Sequence, residues 1–473
     1  MYKAVIGLEV HAELKSNSKN FSSGANSYSS FPNTNLTPVD LGYPGILPVV
    51  NKEAVRKALK VALALHCKTP EYMVFDRKNY FYPDLPKGYQ ITQLHHPVGE
   101  NGYLMINVGE DSKKVLIHDT HLEEDTASMD HMSTYSLIDY NRAGVPLLET
   151  VTEPCLNSAD EAIAFLEAYR SLLLYCDVSE ARSDMGQIRC DVNVSLMKEN
   201  DTELGTRVEM KNINSFSAVK AAIISEIKRQ TKILENGGEV LQETRRYDEL
   251  SDKTFLMRSK VDAIDYKYYI EPNIPPIKLE DAFVEEIKNE IPELQYERLN
   301  KYLNDYNLTR VDSNTLVKEK ELSDYFEDMV KVGVDAKIAC NWLVGFILGY
   351  LNKNNLSIID IKITPVMLKG MIDLLDSSKI SIKQMKEILT KAMDEGKDPN
   401  QLVKELNVTQ ITDENEICVI VNEVLNENLN LVEDYKNGKR VFDFIIGQIM
   451  KKTKGRVNPG VTSKVLKEEL DKR

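Results

Sequence analysis

Near the amino terminus apolar and polar positions alternate. Ala4, Ile6, Leu8, Val10, Ala12 and Leu14 fall on one face of an extended strand, and Val5, Gly7, Glu9, His11 and Glu13 fall on the other. Two later runs read the same way. From 188 to 196, Ile188, Cys190, Val192, Val194 and Leu196 turn inward, opposite Arg189, Asp191, Asn193 and Ser195. From 206 to 213, Arg207, Glu209 and Lys211 lie opposite Val208 and Met210, so residues 188–213 are expected to form a hairpin. Elsewhere the period lengthens to that of an amphipathic helix, over 52–65, 160–175 and 218–235, the last stopped by Gly237-Gly238.

After Pro292 the helical period takes over. Thr364-Pro365 reads as a cap followed by proline at the first helical position, opening an apolar face with Leu368, Met371 and Ile372. Fourteen of the 17 prolines lie at or before Pro292, and all seven histidines at or before His131. The expected class is α+β: an amino-terminal domain over 1–292 with a mainly antiparallel sheet, an all-α domain over 293–405 and a small helical tail over 406–473.

Composition sharpens this picture in two places. The 473 residues are 42% hydrophobic and 28% charged with a net charge of −14, which excludes a protein that coats DNA or an anionic membrane over its whole surface. The charge is uneven, however. Residues 436–473 hold eleven lysines and arginines against four acids, a net of +7, as a polyanion held by one extremity would require. The six cysteines form no C-x-x-C pair, no stretch is long and apolar enough for a membrane span, and Glu9 and His11 interrupt any signal-peptide core. The chain reads as cytoplasmic.

If the three strands share a sheet, their polar faces bring together the carboxylates Glu9, Asp191 and Glu209, the imidazole of His11, and the cations Arg189, Arg207 and Lys211. Oxygen ligands with one nitrogen suit a hard divalent cation such as Mg²⁺, and the cations suit phosphate. A plain solvent face would carry more Thr, Ser and Lys. The run His121-Leu122-Glu123-Glu124-Asp125, with His118 before it, adds three consecutive acids that repel one another unless a cation neutralises them. Residues 75–90, with Lys78, Asn79, Tyr80, Phe81, Tyr82 and Lys87, make a proline-bent stretch able to stack a base and grip phosphate, or simply to cover the core. A P-loop, a G-x-G-x-x-G turn, a G-x-S-x-G elbow and an amidase-like serine run are all absent, so ammonia for any amide-forming reaction would come from another subunit.

These segments carry a resemblance. Val5-Ile6-Gly7-Leu8-Glu9-Val10-His11, residues 75–90, His121-Leu122-Glu123-Glu124-Asp125, Asn141-Arg142-Ala143-Gly144-Val145-Pro146-Leu147, Arg189-Cys190-Asp191-Val192-Asn193, Glu209-Met210-Lys211-Asn212 and Gly455-Arg456-Val457-Asn458-Pro459 resemble the B subunits of the aspartyl/glutamyl-tRNA amidotransferases. The resemblance implies a cradle-shaped catalytic domain, a helical domain and a tRNA-engaging tail, in a heterotrimer with an amidase subunit and a small third subunit. It further implies ATP- and Mg²⁺-dependent phosphorylation of the side-chain carboxylate of Glu or Asp misacylated on tRNA(Gln) or tRNA(Asn), followed by amidation with ammonia from the amidase. On it, Glu9, His11, Glu123, Glu124, Asp191 and Glu209 are expected to hold metal, Lys78, Asn79, Arg189, Arg207 and Lys211 to face nucleotide or phosphate, and Lys451, Lys452, Lys454 and Arg456 to meet tRNA.

Met185, Val261, Lys267 and Asn273 depart from the family pattern, and the charge lost at 185, 261 and 273 is expected to cluster around the same pocket. This leaves a rival, a tRNA-binding scaffold with an impaired site. A second rival is a metal-dependent hydrolase built on His118, His121 and the acid run. The zinc-binding cysteines of some relatives are replaced by Phe21-Ser22-Ser23-Gly24, so no zinc is expected.

Overall fold

A computed structural model describes residues 2–27, 31–198, 200–213, 215–259, 265–406, 411, 413–453 and 455–473. The strands are β1 (Tyr2–Glu13), β2 (Tyr72–Met73), β3 (Asp76–Asn79), β4 (Tyr89–Thr92), β5 (Gly99–Val108), β6 (Asp111–Glu124), β7 (Ser128–His131), β8 (Ser136–Asp139), β9 (Pro146–Thr152), β10 (Ile188–Lys198), β11 (Val208–Ile213), β12 (Glu243–Asp248), β13 (Lys253–Ser259), β14 (Tyr269–Ile270) and β15 (Ile277–Lys278). Eight of them form the main sheet in the order β13-β12-β11-β10-β1-β9-β6-β5. β10 and β11 pair antiparallel, as the alternation of 188–213 predicts.

Helices α1 (Lys52–Ala64), α2 (Ala159–Tyr175) and α3 (Phe216–Glu235) occupy the three runs with helical period, and α4 (Asp281–Asn289) is a further helix that the periodicity does not announce. The one parallel pair of the main sheet is β11 with β12, which needs a crossover, and α3 supplies it. Asn51, Ser158 and Ser215 cap the first three helices, each side chain accepting from backbone N–H groups of the first turn. Ile6, Leu8, Val10 and Ala12 of β1 share a core with Ala58 and Leu59 of α1, Phe165 and Tyr169 of α2 and Val219 and Ile223 of α3. The helices thus take the apolar face of β1, leaving Glu9 and His11 on the opposite one.

The chain divides into two compact units, Met1–Arg298 and Leu299–Arg473. The first extends beyond the expected boundary at 292, with the Arg298 guanidinium 5.4 Å over the Tyr175 ring of α2. In the second unit the described residues form helices, with Thr364 capping Pro365–Asp376. Its buried apolar residues fall into two clusters, one within 299–403 and one within 417–470.

Candidate functional site

Register builds the site. β1 lies between β9 and β10, so Glu9 stands opposite Asp191, and His11 stands opposite Arg189 on one side and Glu149 on the other. One strand further out His121 stands opposite Glu149, and on the other flank Asn193 stands opposite Glu209. Directly opposed residues share a sheet face. A row of imidazoles and carboxylates therefore crosses β6, β9, β1, β10 and β11 on the face away from α1, α2 and α3.

Two groups of possible metal ligands result. In the first, His11, Glu123 and Glu149 each offer an atom within 4.8 Å of the others. His11 Nε2 lies 3.1 Å from Glu149 Oε2 and 4.0 Å from Glu123 Oε1, and His121 Nε2 lies 3.4 Å from the same Glu149 oxygen. Asp119 in turn holds His121 Nδ1 at 2.7 Å. Burial alone would push the Glu149 carboxyl up, but the two imidazoles outweigh it and hold it well below the usual carboxylate range. Burial and the charge of Glu149 push the Glu123 carboxyl up. The imidazoles of His11 and His121 both stand above the ordinary histidine value, because the acids outweigh the cost of burying charge.

In the second group, Glu9, Asp191 and Glu209 likewise lie within 4.8 Å of one another. This group already contains a cation: the Lys211 ammonium donates to Asp191 and lies 3.2 Å from Glu209 Oε1. Asn193 Nδ2 donates to Glu9 Oε1 at 2.9 Å and Thr244 Oγ1 to Glu209 Oε2 at 2.8 Å. Burial, followed by the charge of Glu149, raises the Glu9 carboxyl.

The donor set of the first group, two carboxylates and one imidazole, fits a hard divalent cation. Its balancing cations are imidazoles, which can give up their protons, whereas the second group is filled by an ammonium that cannot easily do so. Lys78, on β3, forms no ion pair among the described residues. Its ammonium stands above the ordinary lysine value despite burial, owing foremost to Glu123 and with Tyr268 and Glu149 contributing. Lys78 therefore feels the first group.

Several expected site residues lie elsewhere. Glu124 joins neither group: strand alternation sends it away from Glu123, and it is buried with both its oxygens bonded to Lys87 Nζ, at 2.6 and 2.7 Å. Arg189 is committed to Asp125 at 2.8 Å, an acid that Arg142 also approaches at 3.5 Å. Of the three consecutive acids, Glu124 is thus neutralised by Lys87 and Asp125 by Arg189 and Arg142, while Glu123 stays with the imidazoles of the first group. Asn79 spends its side-chain amide on the Lys267 carbonyl, at 2.8 Å. Arg207 is exposed beside a pocket of about 210 Å³ that Glu9 and Asn193 also line. In the tail, Lys451 and Arg456 are exposed, Lys452 is paired with Glu423 at 3.1 Å and Glu427 at 2.7 Å, and Lys454 lies outside the described residues.

Among the departures, Met185 ends a short 3₁₀ turn before β10, the Lys267 side chain is exposed, and the Asn273 N–H donates to Glu271 at 2.9 Å; Val261 lies outside the described residues. His118 is exposed, pairs with Glu153 at 2.9 Å and belongs to neither group. Ser22 donates to Asp40 at 2.6 Å.

Sequence reasoning missed Glu149. Its signal is a single acid inside the apolar run of β9, with Leu147 and Val151 two residues to either side.

Comparison with known proteins agrees with this architecture. The GatB/GatE catalytic domain model matches residues 4–285 and the GatB domain model residues 324–470. The B subunit of the aspartyl/glutamyl-tRNA(Asn/Gln) amidotransferase of Oceanobacillus iheyensis is 46% identical over 474 residues, covering 100% of both chains. The proteins of the same description from Shouchella clausii and Staphylococcus aureus are also 46% identical, again over 100% of each chain.

Proposed function

This chain belongs to the family of B subunits of the tRNA-dependent amidotransferases, and we propose that within such an enzyme it activates the side-chain carboxylate of Glu or Asp misacylated on tRNA(Gln) or tRNA(Asn). The observation that carries the proposal is the convergence of His11, Glu123 and Glu149 from three strands. A carboxylate is a poor acyl donor because oxide leaves badly, so ATP is needed to convert it to an acyl phosphate, from whose acyl carbon ammonia then displaces phosphate to leave the amide.

His11, Glu123 and Glu149 would hold Mg²⁺, which when bound offsets the repulsion between the nucleotide phosphates and the substrate carboxylate. Lys78 supplies a further positive charge toward the phosphates. Lys211 and Asn193 keep Glu9, Asp191 and Glu209 neutralised and oriented at the substrate side. Arg189, through Asp125, fixes the end of β6 that carries Glu123.

The ammonia comes from an amidase subunit, in a cytoplasmic heterotrimer completed by a small third subunit. The basic tail meets the tRNA, and no zinc takes part. The test is amidation by the complex rebuilt from all three subunits, with free ammonium, ATP, Mg²⁺ and each misacylated tRNA. One phosphate should be released per amide formed, and none without the misacylated tRNA. Amide formation that proceeds without ATP would refute the proposal, and neither phosphate nor amide from a complex that still binds the misacylated tRNA would point to the scaffold reading.

A further inference from the structure

We propose that Tyr266 and Tyr80 form an aromatic clasp that keeps the Lys78 ammonium from collapsing onto Glu123 and Glu149, so that the trio stays open to a divalent cation. The inference rests on the reading of that trio as the metal site, and it makes both tyrosines positioning residues.

Two lysines set up the comparison, Lys211 on β11 of the main sheet and Lys78 on β3 of the separate three-stranded sheet β14-β3-β4. Lys211 and Lys78 are each drawn by neighbouring carboxylates. Lys211 has fallen into its acids, with Asp191 and Glu209 both in contact. Lys78 has not: its Nζ lies 5.2 Å from the centre of the Tyr266 ring and 6.0 Å from that of Tyr80, and pairs with no acid among the described residues. Aromatic faces attract a cation without neutralising it, so such a clasp competes with ion pairing and leaves the positive charge available.

The clasp is held from its backbone. Tyr80 and Tyr266 meet edge to face at 5.7 Å, and Tyr266 meets Tyr268 in the same manner at 6.3 Å. The Asn79 N–H donates to the Tyr266 carbonyl at 2.9 Å and the Asn79 side chain to the Lys267 carbonyl at 2.8 Å. The Lys267 N–H donates to Asp265 Oδ1 at 2.9 Å, closing a turn in which Lys267 takes a left-handed backbone, φ +44°. That turn sends the Lys267 side chain outward and leaves the two flanking tyrosines half-buried. Asn79, expected to bind nucleotide, finds its use here.

The test reads Mn²⁺ binding to the full chain in its complex by electron paramagnetic resonance, the trio's signal being the one abolished by Glu149→Gln. Tyr266→Leu should weaken that binding about tenfold, within the range seen when a group behind a metal ligand is lost. Tyr266→Phe, which keeps the ring face, should stay within about twofold on the same scale. In a Lys78→Met background, where no ammonium is left to intrude, adding Tyr266→Leu should change nothing. Tyr266→Leu binding Mn²⁺ as well as the unaltered chain would overturn the clasp, and so would an equal loss in the Lys78→Met background, which would make the ring a mere packing element. An unaltered chain with no signal sensitive to Glu149→Gln would instead overturn the metal site on which the clasp rests.

Discussion

The Lys87 ammonium donates to both carboxylate oxygens of Glu124, at 2.6 and 2.7 Å, and both side chains are buried. The Ile91 N–H adds a third bond to the same carboxylate at 3.0 Å. The pair ties the loop between β3 and β4 to the end of β6, one residue from Glu123 and on the opposite side of the strand.

Removing one partner of such a pair strands a buried charge. Glu124→Gln is therefore expected to lower unfolding stability by about 3–5 kcal/mol, measured by denaturant titration. Its Mn²⁺ affinity should stay within about threefold of the unaltered chain, well short of the tenfold or greater loss that marks a ligand's support. A large loss of metal with intact stability would return Glu124 to the ligand set.

Glu149 is the hub of the first trio, approached by His11 and His121. Glu149→Gln should abolish metal binding, and His121→Ala should weaken it by about 10–100-fold through loss of the group that orients the carboxylate. Chelator treatment of the unaltered complex should stop amidation, and added Mg²⁺ should restore it. Isothermal titration of each variant with Mn²⁺ checks the order, which fails if His121→Ala binds as tightly as the unaltered chain.

A pH effect follows from Glu271, which is fully buried and bonded through both oxygens to Arg77. Burial opposes its ionisation, but the bonds from Arg77 outweigh it and hold the carboxyl below the usual value. A carboxyl lowered in the folded state contributes stability above its unfolded pKa of about 4 and loses it as pH falls through the folded value. Thermal melts from pH 6 down to pH 3 should show Glu271→Gln least stable relative to the unaltered chain at pH 6, with the gap closing below about pH 4. A gap that widens in acid would reverse the assignment.

In the tail, Lys452 is already occupied by Glu423 and Glu427, whereas Lys451 and Arg456 are exposed. Alanine at 451 and 456 should weaken tRNA binding and reduce the slope of log affinity against log salt by about 1 for each phosphate no longer neutralised. Lys452→Ala should do less. Equal affinities for all three variants in filter binding at 50 and 200 mM salt would make this face a solvated surface only.

The strands were legible because alternation is a local property: β1, β10 and β11 could each be read from their own residues, and so could the chemistry of the faces they present. Partnership is not local. Nothing near Glu149 announces that β9 would lie beside β1, so the acid that gathers both imidazoles went unseen. Glu124 was misjudged for a related reason. Three adjacent acids look like one cluster in a sequence, but a strand turns its neighbours to opposite sides, and here Glu124 and Asp125 found cations of their own while Glu123 stayed with the imidazoles. The boundary after 292 shifted because proline and histidine usage changes before the packing does, and Arg298 still reaches back to Tyr175.

β1 leaves the ribosome before the strands it pairs with, since its flanking positions in the sheet are filled by β9 and β10. Until synthesis has passed Lys198, a twelve-residue ribbon rich in apolar side chains has at least one edge able to recruit a stray strand. A pause in synthesis between the codons for Glu13 and Ile188 would lengthen the time that this edge stands unpaired.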